Sequence, residues 1–162
     1  MEQVLAEIGL ACVFESGDGP GIRNAAWIGT VWAEARARSV SDPVVLVIDE
    51  IQKIPEWSEA VKRLWDEDSR TRRDIRVVLL GSSTNIIHRG LSESLAGRFE
   101  RIRVQPWSYT EMRDAFSFTL DEYLLFGGYP GPASLRGNFE RWRNYVHDSI
   151  IMPALTRDLL QL

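Results

Sequence analysis

The feature that most limits what this chain can fold into is Val44-Val45-Leu46-Val47-Ile48, which follows Pro43 and ends in Asp49-Glu50. Five consecutive apolar residues, four of them β-branched, leave no polar side for solvent. A strand of that kind is stable only when covered on both faces, as in a parallel sheet flanked by helices. Ile75-Arg76-Val77-Val78-Leu79-Leu80, closed by Gly81, predicts a second buried strand. Between the two, Trp57, Val61, Leu64 and Trp65 recur at helical spacing and predict a helix over about 57–69. Strand, helix, strand is the βαβ unit that sets parallel strands side by side.

The flanking sequence extends this pattern. Val4, Leu5 and Ile8 predict the end of a helix, and Ala11-Cys12-Val13-Phe14 a short strand. Ser16-Gly17-Asp18-Gly19-Pro20-Gly21 is a loop by composition. Trp27, Ile28, Val31, Trp32 and Ala35 predict a helix over 24–37, and Arg101-Ile102-Arg103-Val104 an alternating fourth strand ended by Pro106. Beyond it the signals are helical. Ser108-Tyr109-Thr110-Glu111 and Thr119-Leu120-Asp121-Glu122 are capping boxes, Gly127 to Pro132 is a break, and residues 138–151 are expected to form a helix with Phe139, Trp142, Tyr145, Val146 and Ile150 on its apolar side. The expected organisation is an α/β parallel-sheet core over residues 1–105 followed by a helical region over 106–162.

Composition excludes several classes. With 162 residues, 44% hydrophobic and 26% charged, the chain can bury a core of its own. No apolar run reaches the ~20 residues of a membrane span, and the start has no basic, apolar leader pattern. One cysteine, Cys12, excludes an internal disulfide framework, favours a reducing compartment such as the cytoplasm, and is expected to sit in the core as a small hydrophobe. His88 and His147 with that cysteine are too few for a His/Cys zinc site. A net charge of −4 gives no overall attraction to nucleic acid, and the Arg-rich stretches 70–76 and 136–143 are expected to be solvated helix faces.

The chemistry-bearing residues stand at the strand ends. Asp49 and Glu50 close the most buried strand and so fall at the carboxyl edge of a parallel sheet, where open α/β folds bind ligands. Such a pair can hold a hydrated Mg²⁺ through the first carboxylate and polarise a water with the second. It can equally be an acidic strand end that caps the next helix. Ser82 and Ser83 follow the second buried strand, which is expected to lie beside the first. Their hydroxyls can reach a phosphate or a water there, or they can cap a helix over 84–89. Arg98, in Leu95-Ala96-Gly97-Arg98-Phe99, can neutralise charge developing in phosphoryl transfer, or be one more surface arginine beside Arg101 and Arg103.

Taken together, these segments resemble a prokaryotic AAA-type P-loop ATPase family whose members carry a DUF4143-type region after the ATPase core. Val47-Ile-Asp-Glu-Ile-Gln-Lys-Ile-Pro-Glu-Trp-Ser58 is similar to its Walker B segment, and Leu80-Gly81-Ser82-Ser83 to its sensor-1 strand. Leu91 to Glu100 resembles its arginine-bearing segment; Pro106 to Glu111 and Phe126 to Pro130 resemble its next two signatures. The resemblance runs from about Trp27 to Leu162. It implies an AAA+ core, ATP and Mg²⁺ as ligands, and hydrolysis, with Asp49 on the metal and Glu50, Ser82, Ser83 and Arg98 as catalytic residues.

The chain also departs from that family. Its phosphate loop ends in Gly-Lys-Ser/Thr, and the only lysines here are Lys53 and Lys62, neither in such a setting. The Ser16–Gly21 loop ends in Pro20-Gly21-Ile22-Arg23 instead, and Pro20 has no amide to donate. By the resemblance, the phosphate loop and its strand belong upstream of Met1, and Leu162 leads into a further region. The expectation is therefore an AAA-type core without its first strand and phosphate loop, with weak or no ATP turnover by itself. The rival expectation is a non-catalytic module that keeps the fold and binds a partner chain or a second copy of itself. A phosphoacceptor signalling domain is a third reading, opposed by the lack of a lysine after a later strand.

Overall fold

The computed structural model describes residues 2–39, 42–82 and 94–159. They form two compact units, residues 1–100 and residues 101–162. The first holds α1 (Glu2–Ile8), β1 (Ala11–Ser16), α2 (Ala25–Arg38), β2 (Val44–Asp49), α3 (Trp57–Thr71) and β3 (Ile75–Leu79). The second holds α4 (Tyr109–Phe116), α5 (Leu120–Phe126), α6 (Phe139–Val146) and α7 (Met152–Leu159).

Among the described residues the sheet has the order β1-β2-β3, and both pairings are parallel. Val44 pairs with Ala11 on one side and Ile75 on the other; Ile48 pairs with Glu15 and Leu79. Because side chains alternate along a strand, Val44, Leu46 and Ile48 share one face and Val45 and Val47 the other. All five are buried, which is why the run shows no polar alternation.

The face carrying Leu46 packs with Ile28, Val31, Trp32 and Ala35 of α2 and with Trp57, Ala60, Val61 and Leu64 of α3. Each of these buried side chains contributes about 1.5–3 kcal/mol of transfer free energy, less for alanine. α2 starts where the Asn24 side chain accepts from the Trp27 amide. Its Trp32 and Arg36 converge on Asp68 of α3. Trp32 Nε1 donates to Asp68 Oδ2 at 2.6 Å and Arg36 Nε to Oδ1 at 2.8 Å. Asp68 is only 4% exposed, so these bonds replace the water its charge has lost.

The expected fourth strand is not formed. Residues 101–104 pair with no described strand, and Ile102 and Val104 are 81% and 90% exposed. Alternation alone does not make a strand: without a partner its backbone groups gain no ladder and its apolar side has nothing to pack on. The first unit thus ends at Glu100, ahead of Pro106. Cys12 is half-buried rather than a core residue, since it lies on the opposite face of β1 from the buried Val13. Burial pushes its thiol pKa up, and the nearby Arg38 guanidinium pulls it back.

The second unit is built from local devices. Both capping boxes form as the sequence indicates, Ser108 with Glu111 and Thr119 with Glu122. Its core is small, with Met112, Phe118 and Ala133 packed against Trp107, Phe116, Tyr123 and Phe126. Trp107 N donates to Gly128 O at 2.8 Å, and any side chain at Gly128 would collide with the Trp107 backbone. The helix expected over 138–151 starts at Phe139 and passes through a π-turn, His147–Ile151, into α7. Met152 N reaches back to His147 O. Pro153 has no N–H and crowds the Ser149 carbonyl, which accounts for the widened turn at that place.

Candidate functional site

The site is assembled at the carboxyl edge of β1, β2 and β3. Glu50 follows β2 in the left-handed region, with φ 51° and ψ 38°, a conformation that side-chain-bearing residues seldom adopt. Its neighbours hold it there. Glu50 N donates to Asp49 Oδ1 at 2.8 Å, Lys53 N to Glu50 O at 3.0 Å, and Gly17 N to Asp49 O at 2.8 Å. Gly17 allows the close approach: a Cβ there would stand 2.8 Å from the Glu50 carbonyl oxygen. Strain of this kind costs about 1–3 kcal/mol and is concentrated at functional sites.

The Glu50 carboxylate is held from below. Gln52 Nε2 donates to Glu50 Oε2 at 2.7 Å, and Lys53 Nζ stands 3.9 Å from the same oxygen. Lys53 is drawn more closely to Asp18, at 2.7 Å, so it is engaged at the loop. Beyond β3 the ladder continues, with Leu80 N to Ile48 O at 2.9 Å and Ile51 N to Leu80 O at 3.1 Å. That brings Ser82 alongside the residues after β2, where its Oγ lies 3.5 Å from Gln52 Nε2.

Asp49, Glu50 and Ser82 therefore meet at one edge of the sheet. Ser83 lies outside the described residues. Arg98 is placed elsewhere. Its Nε pairs with Asp66 Oδ1 at 3.0 Å, its Nη1 donates to Ala96 O, and its guanidinium lies over Trp65. None of these contacts joins Asp49, Glu50 or Ser82. Asp66 is about 14 Å along α3 from the end nearest Glu50, at a rise of about 1.5 Å per residue. Arg98 borders an open, charged hollow with Glu59, Lys62, Arg63, Asp66 and Arg70 on the outer face of that helix.

The loop before α2 does not resemble a phosphate cradle. Gly17 N is bonded to Asp49 O, Asp18 N to Ser16 Oγ and Gly19 N to Ser16 O, so these amides are turned to the chain itself. For a divalent cation the edge provides two carboxylates, and no cluster of three or more His, Cys, Asp or Glu ligands occurs among the described residues. This suits the protein side of a hydrated Mg²⁺, which takes one or two carboxylates and keeps its waters or phosphate ligands. Sequence reasoning did not assign roles to Gln52, Asp18 or Ser16. The available signal was the position of Gln52, two residues past the carboxylate pair.

A parallel sheet with a buried strand ending in two carboxylates, beside a strand followed within three residues by a hydroxyl residue, is the arrangement of a nucleotide-binding α/β core. Comparison with known proteins agrees: residues 18–113 match a family described as AAA domain. The chain belongs to that family. Uncharacterized proteins of Mycobacterium tuberculosis and Mycobacterium bovis are each 35% identical to it over 120 residues, 73% of this chain. An uncharacterized protein of Haemophilus influenzae is 30% identical over 101 residues. The chain spans about a quarter of these relatives, 25%, 25% and 24% of their length. No helix among the described residues is long and apolar enough to cross a membrane.

Proposed function

We propose that this chain provides the metal- and water-handling half of an ATP-hydrolysing site. The observation that supports it is the carboxylate pair Asp49-Glu50 at the end of the buried strand, with Ser82 just beyond the end of the adjoining strand, in an AAA domain. In this reading Asp49 holds Mg²⁺ through its water shell, and bound Mg²⁺ screens the charge of the phosphates. Glu50 accepts a hydrogen bond from the attacking water and polarises it. Ser82, with Ser83, donates to the γ-phosphate or that water. Arg98, paired with Asp66 and turned away from Glu50, acts on the nucleotide of a neighbouring subunit in an assembly of such chains, which makes a second copy the natural partner. The cytoplasm is the compartment in which ATP and a free Cys12 thiol coexist.

The 162 residues contain no Gly-Lys-Ser/Thr loop, and most triphosphate affinity in such sites comes from loop amides, a lysine and the helix end behind them. The chain by itself is expected to bind ATP no tighter than about millimolar, roughly 4 kcal/mol. Calorimetry with Mg²⁺ and ATP tests this, and micromolar binding would overturn it. In a longer relative that hydrolyses ATP, replacing the residue equivalent to Glu50 by Gln should leave ATP bound and slow turnover by about 10²–10⁴. Unchanged turnover would reject the role given to Glu50.

A second reading, a non-catalytic module that binds a partner chain, is favoured by the apolar residues Leu120, Leu124 and Leu125 exposed on α5. Failure of the longer relatives to bind nucleotide would select it.

A further inference from the structure

We propose that Gln52 is a positioning residue that ties the Glu50 carboxylate to Ser82, so that a change at the end of β3 is passed to the end of β2. The proposal rests on the role given above to Glu50. One side-chain nitrogen makes both contacts, 2.7 Å to Glu50 Oε2 and 3.5 Å to Ser82 Oγ. An amide NH₂ has two hydrogens, so both acceptors can be served at once. The contact to the carboxylate is charge-assisted and sets the geometry; the contact to the hydroxyl is the long, yielding one.

The backbone brings the three residues together. The short 3₁₀ turn Ile51–Lys53 sends Ile51 into the core and leaves Gln52 half-buried above the continued β2–β3 ladder. Glu50 is held in its left-handed conformation, so the Gln52 amide meets a carboxylate on a fixed stem. The orientation of the amide is dictated as well. Gln52 Oε1 is buried without a hydrogen-bond partner among the described residues. Turning the amide over would place that oxygen against the Glu50 carboxylate, a repulsion, so the donor side stays on Glu50. Lys53 does not duplicate the tether, because its ammonium is closer to Asp18 than to Glu50.

The test uses this chain, labelled with ¹³C and ¹⁵N and free of nucleotide. Ser82→Ala should move both the Gln52 side-chain amide signal and the Glu50 carboxylate carbon signal, and Ser82→Thr, which restores a hydroxyl, should return them toward their original positions. In a Gln52→Met background, which keeps length and removes the donor, Ser82→Ala should no longer move Glu50. Backbone amide signals of Val44 to Ile48 check that the variant is folded; if Gln52→Met is not, Gln52→Leu, which also lacks a donor, repeats the cycle. A Gln52 amide indifferent to Ser82→Ala would overturn the proposal. So would a Glu50 response that survives the loss of the Gln52 amide. Because no nucleotide is present, failure here removes the tether alone, whereas unchanged ATP turnover in a longer relative whose residue equivalent to Glu50 is replaced by Gln rejects the role given to Glu50 and leaves the tether measurement standing.

Discussion

The two units of this protein are stabilised in opposite ways. Residues 1–100 depend on long-range burial: Val44, Leu46 and Ile48 pack with residues of β1, α2 and α3 that are distant in sequence, with β3 side chains against the same cluster. Residues 101–162 depend on local order, with two capping boxes and a tight aromatic group, and they leave Leu124 74% exposed. The contrast explains where the chemistry is found. Glu50 keeps its left-handed backbone directly after a fully buried strand, whereas Ser117, which adopts the same conformation in the second unit, only closes an exposed helix end. The second unit has caps and surface but no comparable frame.

The largest expected effect on this contrast comes from Leu46→Ala. The side chain is fully buried, and the cavity should lower the stability of the first unit by about 4 kcal/mol. Hydrogen exchange should show loss of protection in β1, β2 and β3 while the amides of α4 and α5 keep theirs. Joint loss in both units would break the contrast. Asp68→Ala comes next, at about 3 kcal/mol, because it leaves Arg36 and the Trp32 N–H without their buried acceptor. Asp68→Asn should cost less, since one oxygen remains for Trp32; denaturant titration of both variants measures the difference.

In the second unit, Met112→Ala should cost about 2 kcal/mol, at the low end for a buried methionine, since so small a core can partly collapse. Its signature is lost protection confined to α4 and α5. The smallest effect is a pH dependence. The Ser108 hydroxyl and amide hold Glu111 below the usual glutamate pKa, and the Thr119 amide does the same for Glu122. A lowered folded pKa means that the unfolded state takes up protons first, so stability rises with pH in that window. The contribution is complete above the ordinary value of 4.5 and disappears as pH falls through the lower folded values. Glu111→Gln with Glu122→Gln should flatten the acid limb of stability for α4 and α5 and leave that of β2 unchanged.

The amino-acid sequence by itself determined the elements whose signals are local. The apolar runs placed β2 and β3 as parallel neighbours, and apolar spacing placed α2 and α3 between the strands; β3, interrupted by the exposed Arg76 and with β2 as its one partner among the described residues, is half-buried rather than the second buried strand expected. Hydroxyl and carboxyl residues three apart placed the two caps, and position after the ends of two neighbouring parallel strands set Asp49, Glu50 and Ser82 at one sheet edge. Only the tertiary structure decided the rest. Arg101 to Val104 alternates like a strand and is not one, because a strand needs an edge to join. Arg98 goes to Asp66, and Asp68 is buried under Trp32 and Arg36, because each pairing joins residues far apart in sequence. Gln52 shows the same limit at short range: its side chain can turn to solvent or to Glu50, and the continued β2–β3 ladder selects the second. Periodicity and caps are properties of a few adjacent residues and survive in the sequence, whereas side-chain partners are chosen by the packing of elements that meet only in the fold.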